Sequence, residues 1–410
     1  MTDSELTRLL LSLVMLLSFS LGMGHLFHHF HLPRVVGEIF SGIILGPSFL
    51  GHFSPQSYEI IFNGFSDQNK LLSVFYWLGL IMLMFSAGFD LPGKIDRKSK
   101  FLIAWIVLGG TTIPFIAGFF ISDLIPNKVD SSQLAFAIVI AVASAVTSLP
   151  VLTRIFIDLK MLTSNFAKVV LTSAAIQDLI LWIALSVAFE IQLNSSRPLP
   201  APNEHLVIIL KTIFFALFTI WVVPLIFRLA NNILRDKLYQ LPLMGYTLLT
   251  CLVLVSIAGI LNINVVFSAL LAGIVIGQFS GKRMVDVKDS IKNFSIWFFV
   301  PIYFAIVGLQ INFPNKFNLN LFLLLFLFTS FIKIITISVF AKFASIPWLK
   351  SIDYGVAMNA RGGPGIVLAS LAYSAKIIDD ELFLIIVLVS IVTSLIAGLW
   401  LYYRKQSILI

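Results

Sequence analysis

Gln177 and Asp178 stand side by side in TSAAIQDLIL, residues 172–181, about halfway along an apolar stretch. A carboxylate at the centre of a bilayer costs at least about 2.5 kcal/mol on insertion scales, so it is rare without a partner or a task. Burial makes its charged form expensive and so favours binding of either a proton or a metal cation. One carboxylate cannot hold both, and that competition is a means of coupling two ion movements. The plainer alternative is a structural carboxylate that caps the backbone of interrupted helices. Gln177 offers a neutral donor and acceptor beside the acid and reads equally as a ligand or as an amide that packs helices.

Two basic residues share this apolar setting. Lys333 falls in the middle of FLFTSFIKIITISVF. Its ammonium suits the partial negative charge at the C-terminal end of a helix, or a carboxylate such as Asp178, or a purely structural place. Arg361, in MNARGGPG, can grip free carbonyls or a carboxylate with its planar fork, and a structural use is the simpler one. His25, His28, His29 and His31 in HLFHHFH place imidazoles at helical spacing, but no acid or cysteine accompanies them, so an interfacial segment is expected rather than a metal site.

The elements that must position these groups follow from composition. Of 410 residues, 59% are hydrophobic and 12% charged, with a mean hydropathy of +0.98, which places the chain among membrane proteins. Stretches of the length that a spanning helix needs recur about thirteen times, beginning near residues 6, 34, 71, 101, 132, 163, 205, 243, 264, 294, 319, 353 and 380. No small-residue cleavage pattern follows the first, which is kept as a true span. An N-terminus outside and a C-terminus inside put Arg97, Lys98, Lys100, Lys282, Arg283, Arg404 and Lys405 on the inner side, with Lys70, Lys128 and Lys376 among the few left outside. The net charge of +8 therefore tracks membrane orientation and carries no call for nucleic acid. A lone Cys251 excludes a disulfide framework, and phosphate loops, nucleophile elbows and metalloprotease motifs are absent, so neither cofactor nor enzyme chemistry is expected.

Two of the spans are interrupted. The fifth carries Thr147, Ser148, Leu149 and Pro150 inside its length, and the twelfth carries Gly362, Gly363, Pro364 and Gly365 in a row. Both are expected to unwind near the bilayer centre. Unwound backbone is tolerated there only when buried in protein or lining a wet cavity. Broken spans seven apart run in opposite directions, and such pairs in inverted halves point to a secondary-transporter site. Loops are short except at 52–70 and 190–204, and YYRKQSILI follows the last span, so one membrane domain over 1–410 is expected, with no soluble regulatory domain.

Read in order, LPRVVGEIFSGIILGPSFLG at 32–51, LGLIMLMFSAGFDL at 78–91, AVTSLPVLTRI at 145–155, FFVPIYFAIVGLQINF at 298–313 and MNARGGPGIVLAS at 358–370 resemble the monovalent cation/proton antiporter superfamily, in its bacterial Kef-like and Nap-like branch. The resemblance implies an all-α membrane fold of about thirteen helices with inverted repeats and two broken crossing helices. It implies a core of about 101–190 and 319–403 moving against a dimerising panel of about 6–90 and 205–313. It also implies Asp178 as the shared cation and proton site, Thr147 and Ser148 lining it, Lys333 facing it, and exchange of Na⁺ or K⁺ for H⁺ in a homodimer of the inner membrane. Electrogenic sodium antiporters of the superfamily carry paired aspartates where this chain has Gln177 and Asp178, so electroneutral exchange is expected. Kef proteins usually add a soluble nucleotide-sensing domain, which is missing here, so ligand gating by that route is not expected and a separate cytoplasmic regulator is left open. A cation channel or uniporter of the same fold, gated by pH or a partner, is the alternative.

Overall fold

The structure is a computed structural model that describes residues 2–30, 32–65, 67–89, 97–195, 204–233, 242–261, 263–279, 281–311 and 317–409. Among the described residues there is no strand, as hydrocarbon demands of an open chain, because a helix alone satisfies its backbone within one segment. In chain order come α1 (Asp3–His29), α2 (Arg34–Leu45), α3 (Leu50–Phe53), α4 (Pro55–Phe62), α5 (Gln68–Gly88), α6 (Arg97–Ile121), α7 (Gln133–Ala145), α8 (Leu149–Asp158) and α9 (Asn165–Ser195). Then follow α10 (Glu204–Ile233), α11 (Leu243–Ile260), α12 (Val265–Gly277), α13 (Lys282–Phe294), α14 (Val300–Leu309), α15 (Leu319–Phe343), α16 (Trp348–Met358), α17 (Gly362–Ser374) and α18 (Asp380–Leu409). Nine helical segments among the described residues are long and apolar enough to cross a membrane, and α7, residues 210–226 of α10, and α12 are shorter apolar helices.

The helices form two compact units. One comprises residues 1–72, 92–198 and 304–410, the other residues 73–91 and 199–303. In the first, α2 and α14 meet backbone to backbone: a Cβ on Gly42 would lie 1.9 Å from the Ala305 carbonyl oxygen, and one on Gly308 2.2 Å from that of Ile39. Small residues give this close approach where no water is available to drive association.

Two segments depart from the sequence expectation. The stretch at 52–70 holds α4, which opens on Pro55, where a missing N–H loses no helical bond. The span expected from about 294 continues backward through a π-helical turn at Ser295–Phe299 into α13. The charges of KRMVDVKDSIKNF hide this extension from a hydropathy reading. Within the second unit, Lys288 Nζ of α13 donates to the carbonyls of Gly277 (3.3 Å) and Phe279 (2.9 Å) at the end of α12, a cation at the negative end of a helix.

In the first unit α18 is a splint for both α16 and α17. Fully buried Asp353 of α16 accepts from Trp400 Nε1 (2.9 Å) and, in a bidentate grip, from Arg404 Nε and Nη2 (both 3.1 Å). Two turns earlier, Ser394 Oγ accepts from the Gly362 amide (2.9 Å) at the start of α17. Asp353→Ala leaves the indole N–H without its acceptor, while the partly exposed Arg404 turns to solvent, so a loss of roughly 1–3 kcal/mol is expected. Thermal unfolding of the purified protein in detergent measures it, and an unchanged midpoint would show that the clamp contributes nothing.

Candidate ion-binding site

The site begins with what the interrupted helices leave unpaired. Between α7 and α8 the residues Val146, Thr147 and Ser148 are unwound, and between α16 and α17 the residues Asn359, Ala360 and Arg361. The proline and glycines that mark these breaks in the sequence lie just beyond them. Pro150 is the second residue of α8, and Gly362, Gly363, Pro364 and Gly365 form the first turn of α17. The reason is the same at both: the first turn of a helix has amides with no intrahelical acceptor, so a residue without an N–H is accommodated there.

The two unwound stretches satisfy one another. The Ser148 amide donates to the Ala360 carbonyl at 2.6 Å. Thr147 Oγ1 lies 2.8 Å from the Met358 carbonyl and 2.9 Å from Gln177 Oε1, and its one proton serves those two acceptors. Ser148 Oγ caps α8 by accepting from the Val151 amide at 3.3 Å. Gly362 has φ +32°, and a Cβ there would fall 2.4 Å from Val151 Cγ2 and 3.0 Å from Ser148 Oγ. Both the backbone angle and the contact reserve the position for glycine. Gly365 serves α18 in like manner, since its Cβ would lie 2.3 Å from Ser390 Oγ.

The last carbonyls of α7 are taken up by the two buried cations. Arg361 Nη1 donates to Ala143 O (2.8 Å). Lys333 Nζ donates to Ala145 O (2.5 Å), Val146 O (2.6 Å) and Thr147 Oγ1 (2.6 Å). An ammonium has three protons, and all three are placed. Of the roles open to Lys333 in the sequence, the structure adopts the helix-end one. Lys333 and Asp178 act on each other electrostatically, yet no hydrogen bond or ion pair joins them among the described residues.

Asp178, on α9, is 4% exposed, and its Oδ1 is buried without a hydrogen-bond partner. A buried carboxylate oxygen with nothing to accept is a place for a proton or a cation. Gln177 is engaged differently. Besides accepting from Thr147 it directs Nε2 toward the Ile106 carbonyl of α6 (3.4 Å) and against Gly110, whose added Cβ would lie 2.4 Å away. It is a strut between α6, α9 and the crossing. Three contributors were not singled out in the sequence: Asn359, whose Oδ1 faces Arg361 Nη2 at 3.4 Å, Ser394 and the Ile106 carbonyl. Ser394 carried one signal, a hydroxyl within an apolar span; the other two carried none.

His25, His28 and His29 occupy the last two turns of α1, and His31 lies outside the described residues. Among the described residues no group of three or more His, Cys, Asp or Glu side chains is placed to hold a metal.

Thr147→Val removes the hydroxyl that joins Lys333, Gln177 and Met358, at a cost of roughly 1–3 kcal/mol for each buried polar atom left alone. Thr147→Ser keeps it. The serine variant is expected to unfold within a few degrees of the wild type and the valine variant far below it, in a thermal scan of detergent-purified protein.

Comparison with known proteins bears on the family and the fold. The family model described as "Sodium/hydrogen exchanger, transmembrane" matches residues 14–402. "Cation/H(+) antiporter 18" of Arabidopsis thaliana is 29% identical over 406 residues, covering 96% of this chain and 48% of that protein, so the chain spans about half the length of the plant relatives it matches. A "Na(+)/H(+) antiporter" of Enterococcus hirae is 24% identical, with 94% of each chain covered. Among solved structures, the sodium proton antiporter MjNhaP1 of Methanocaldococcus jannaschii superposes with a TM-score of 0.63 at 15% identity over 98% of both chains, a likeness of fold.

Proposed function

The chain belongs to the sodium/hydrogen exchanger family, and from that premise we propose that it exchanges a proton for a monovalent cation, Na⁺ or K⁺, at Asp178. The observation that carries the proposal is the unpaired Oδ1 of a buried carboxylate in a region where Thr147, Ser148, Gln177 and Lys333 are all bonded within the protein.

Asp178 binds either ion in turn, and oxygens of the unwound stretches complete the cation's shell as the site changes its access from one side of the membrane to the other. Lys333 stays at the end of α7 and offsets the carboxylate's charge when the cation has left. Its three protons are committed to protein oxygens, and we assign the exchanged proton to Asp178. One titrating carboxylate exchanges one proton for one singly charged cation, which makes transport electroneutral. Arg361 holds the crossing together. The core of about 101–190 and 319–403 carries the site against a panel of about 6–90 and 205–313 in a homodimer of the cell membrane, with the N-terminus outside.

Asp178→Asn is expected to abolish cation-driven proton movement in acid-loaded proteoliposomes while the protein still elutes as a folded species. In the wild type the signal survives a voltage clamp by valinomycin with K⁺ on both sides and is collapsed by a protonophore, which shows that it is a pH gradient. Current that follows voltage alone would instead mark a channel or uniporter of this fold. Competition also sets the pH dependence. Each unit by which pH falls on the cation-loading side removes carboxylate available to the cation and raises its apparent KM by up to about tenfold, with the maximal rate little changed. A KM indifferent to pH would overturn the shared site.

A further inference from the structure

Beside the crossing, and not used in the exchange described above, lies a cavity of about 20 Å³ bounded by α7, α15, α18 and Arg361 at the start of α17. Its polar lining is Ser144, Thr329, Ser390 and Arg361, set among aliphatic side chains that include Ile140 and Leu325. A volume of this size admits one water-sized body.

The donors and acceptors of the lining decide what that body is. Each hydroxyl proton is already given to its own helix: Ser144 to the Ile140 carbonyl (2.8 Å), Thr329 to that of Leu325 (2.6 Å) and Ser390 to that of Ile386 (2.8 Å). Their remaining lone pairs are free to accept. Arg361 is 2% exposed, and its Nε is buried with no hydrogen-bond partner. The lining thus brings one donor nitrogen with no partner at all, Arg361 Nε, and up to three acceptors. Water, with two protons to give and a lone pair to receive one, matches that set. A halide accepts only and would meet three oxygen lone pairs, whereas an alkali cation would meet the guanidinium.

We propose that this cavity seats a single structural water that accepts from Arg361 Nε and donates to two of the three hydroxyl oxygens of Ser144, Thr329 and Ser390. The water fixes the guanidinium over the Ala143 carbonyl. That role is needed because the other direct contact of the fork, Nη2 to Asn359 Oδ1, is long at 3.4 Å. The three hydroxyl residues are positioning residues that act on Arg361 through the water, and they tie α7, α15 and α18 to the entrance of α17.

Radiolytic footprinting of the full chain in detergent tests this, because hydroxyl radicals generated from bound water oxidise buried neighbours that bulk solvent does not reach. Ile140 and Leu325, 1% and 5% exposed, are expected to be oxidised well above equally buried Leu16, which is 0% exposed. Thr329→Leu, which fills the cavity, is expected to reduce that labelling at least about threefold, and Thr329→Ser, which keeps the oxygen, to preserve it. If Ile140 and Leu325 in the wild type are no more oxidised than Leu16, the cavity is dry and the proposal falls, whether or not any variant folds. A crystal grown in bromide distinguishes the remaining case. Solvent density within hydrogen-bond distance of Arg361 Nε and no anomalous peak supports water, and an anomalous peak there assigns the site to a halide and overturns it. Neither result bears on exchange at Asp178.

Discussion

Everything near Asp178 depends on two lengths of unwound backbone answering each other's hydrogen bonds. In hydrocarbon an unpaired peptide group costs several kcal/mol, and here each interruption is satisfied by the one that stands opposite. The Ser148 amide and the Ala360 carbonyl meet that requirement directly, and Thr147 meets it through its hydroxyl. Residues that look unremarkable in isolation gain their constraint here. Gly362 lacks a Cβ because Val151 occupies that space, and Ser394 is polar because the Gly362 amide has no helical acceptor.

The same logic sorts the buried charges. Two cations and one carboxylate share a small volume, and the obvious pairing would join a cation to the acid. Instead Lys333 and Arg361 attend to carbonyls at the end of α7, where the helix dipole is negative and the orphaned oxygens are most numerous. Such carbonyls have no water to turn to, so the cations are worth more there than in an ion pair that would silence the carboxylate. The outcome is a buried acid whose Oδ1 has no hydrogen-bond partner among the described residues.

Much of this was legible in the sequence because membrane chains carry so few polar residues at depth that each one is conspicuous. Asp178, Lys333 and Arg361 stood out by charge alone, and Pro150 and the glycines from 362 announced both interruptions. What was not legible is what depends on distant partners. Gln177 reads equally as ligand or strut until Thr147, 30 residues away, and Ile106, 71 residues away, are seen to hold it. The exact unwound residues were displaced toward the N-terminus from the proline and glycine signals, since those residues mark the start of a helix as well as its interruption. The helix α13 escaped notice for the opposite reason: its charges are those of a soluble segment, while its backbone continues a span.

The contact of Gly362 with Val151 and the Ser148–Ala360 bond leave the crossing no slack. Prising the two interruptions apart would strand several amides, carbonyls and an ammonium at once. A crossing bonded in this way is a cartridge in its construction, joined across both interruptions rather than hinged between them. Under the exchange proposed above, the motion that exposes Asp178 to one side and then the other would take place around the crossing, with the four half-helices travelling as one piece.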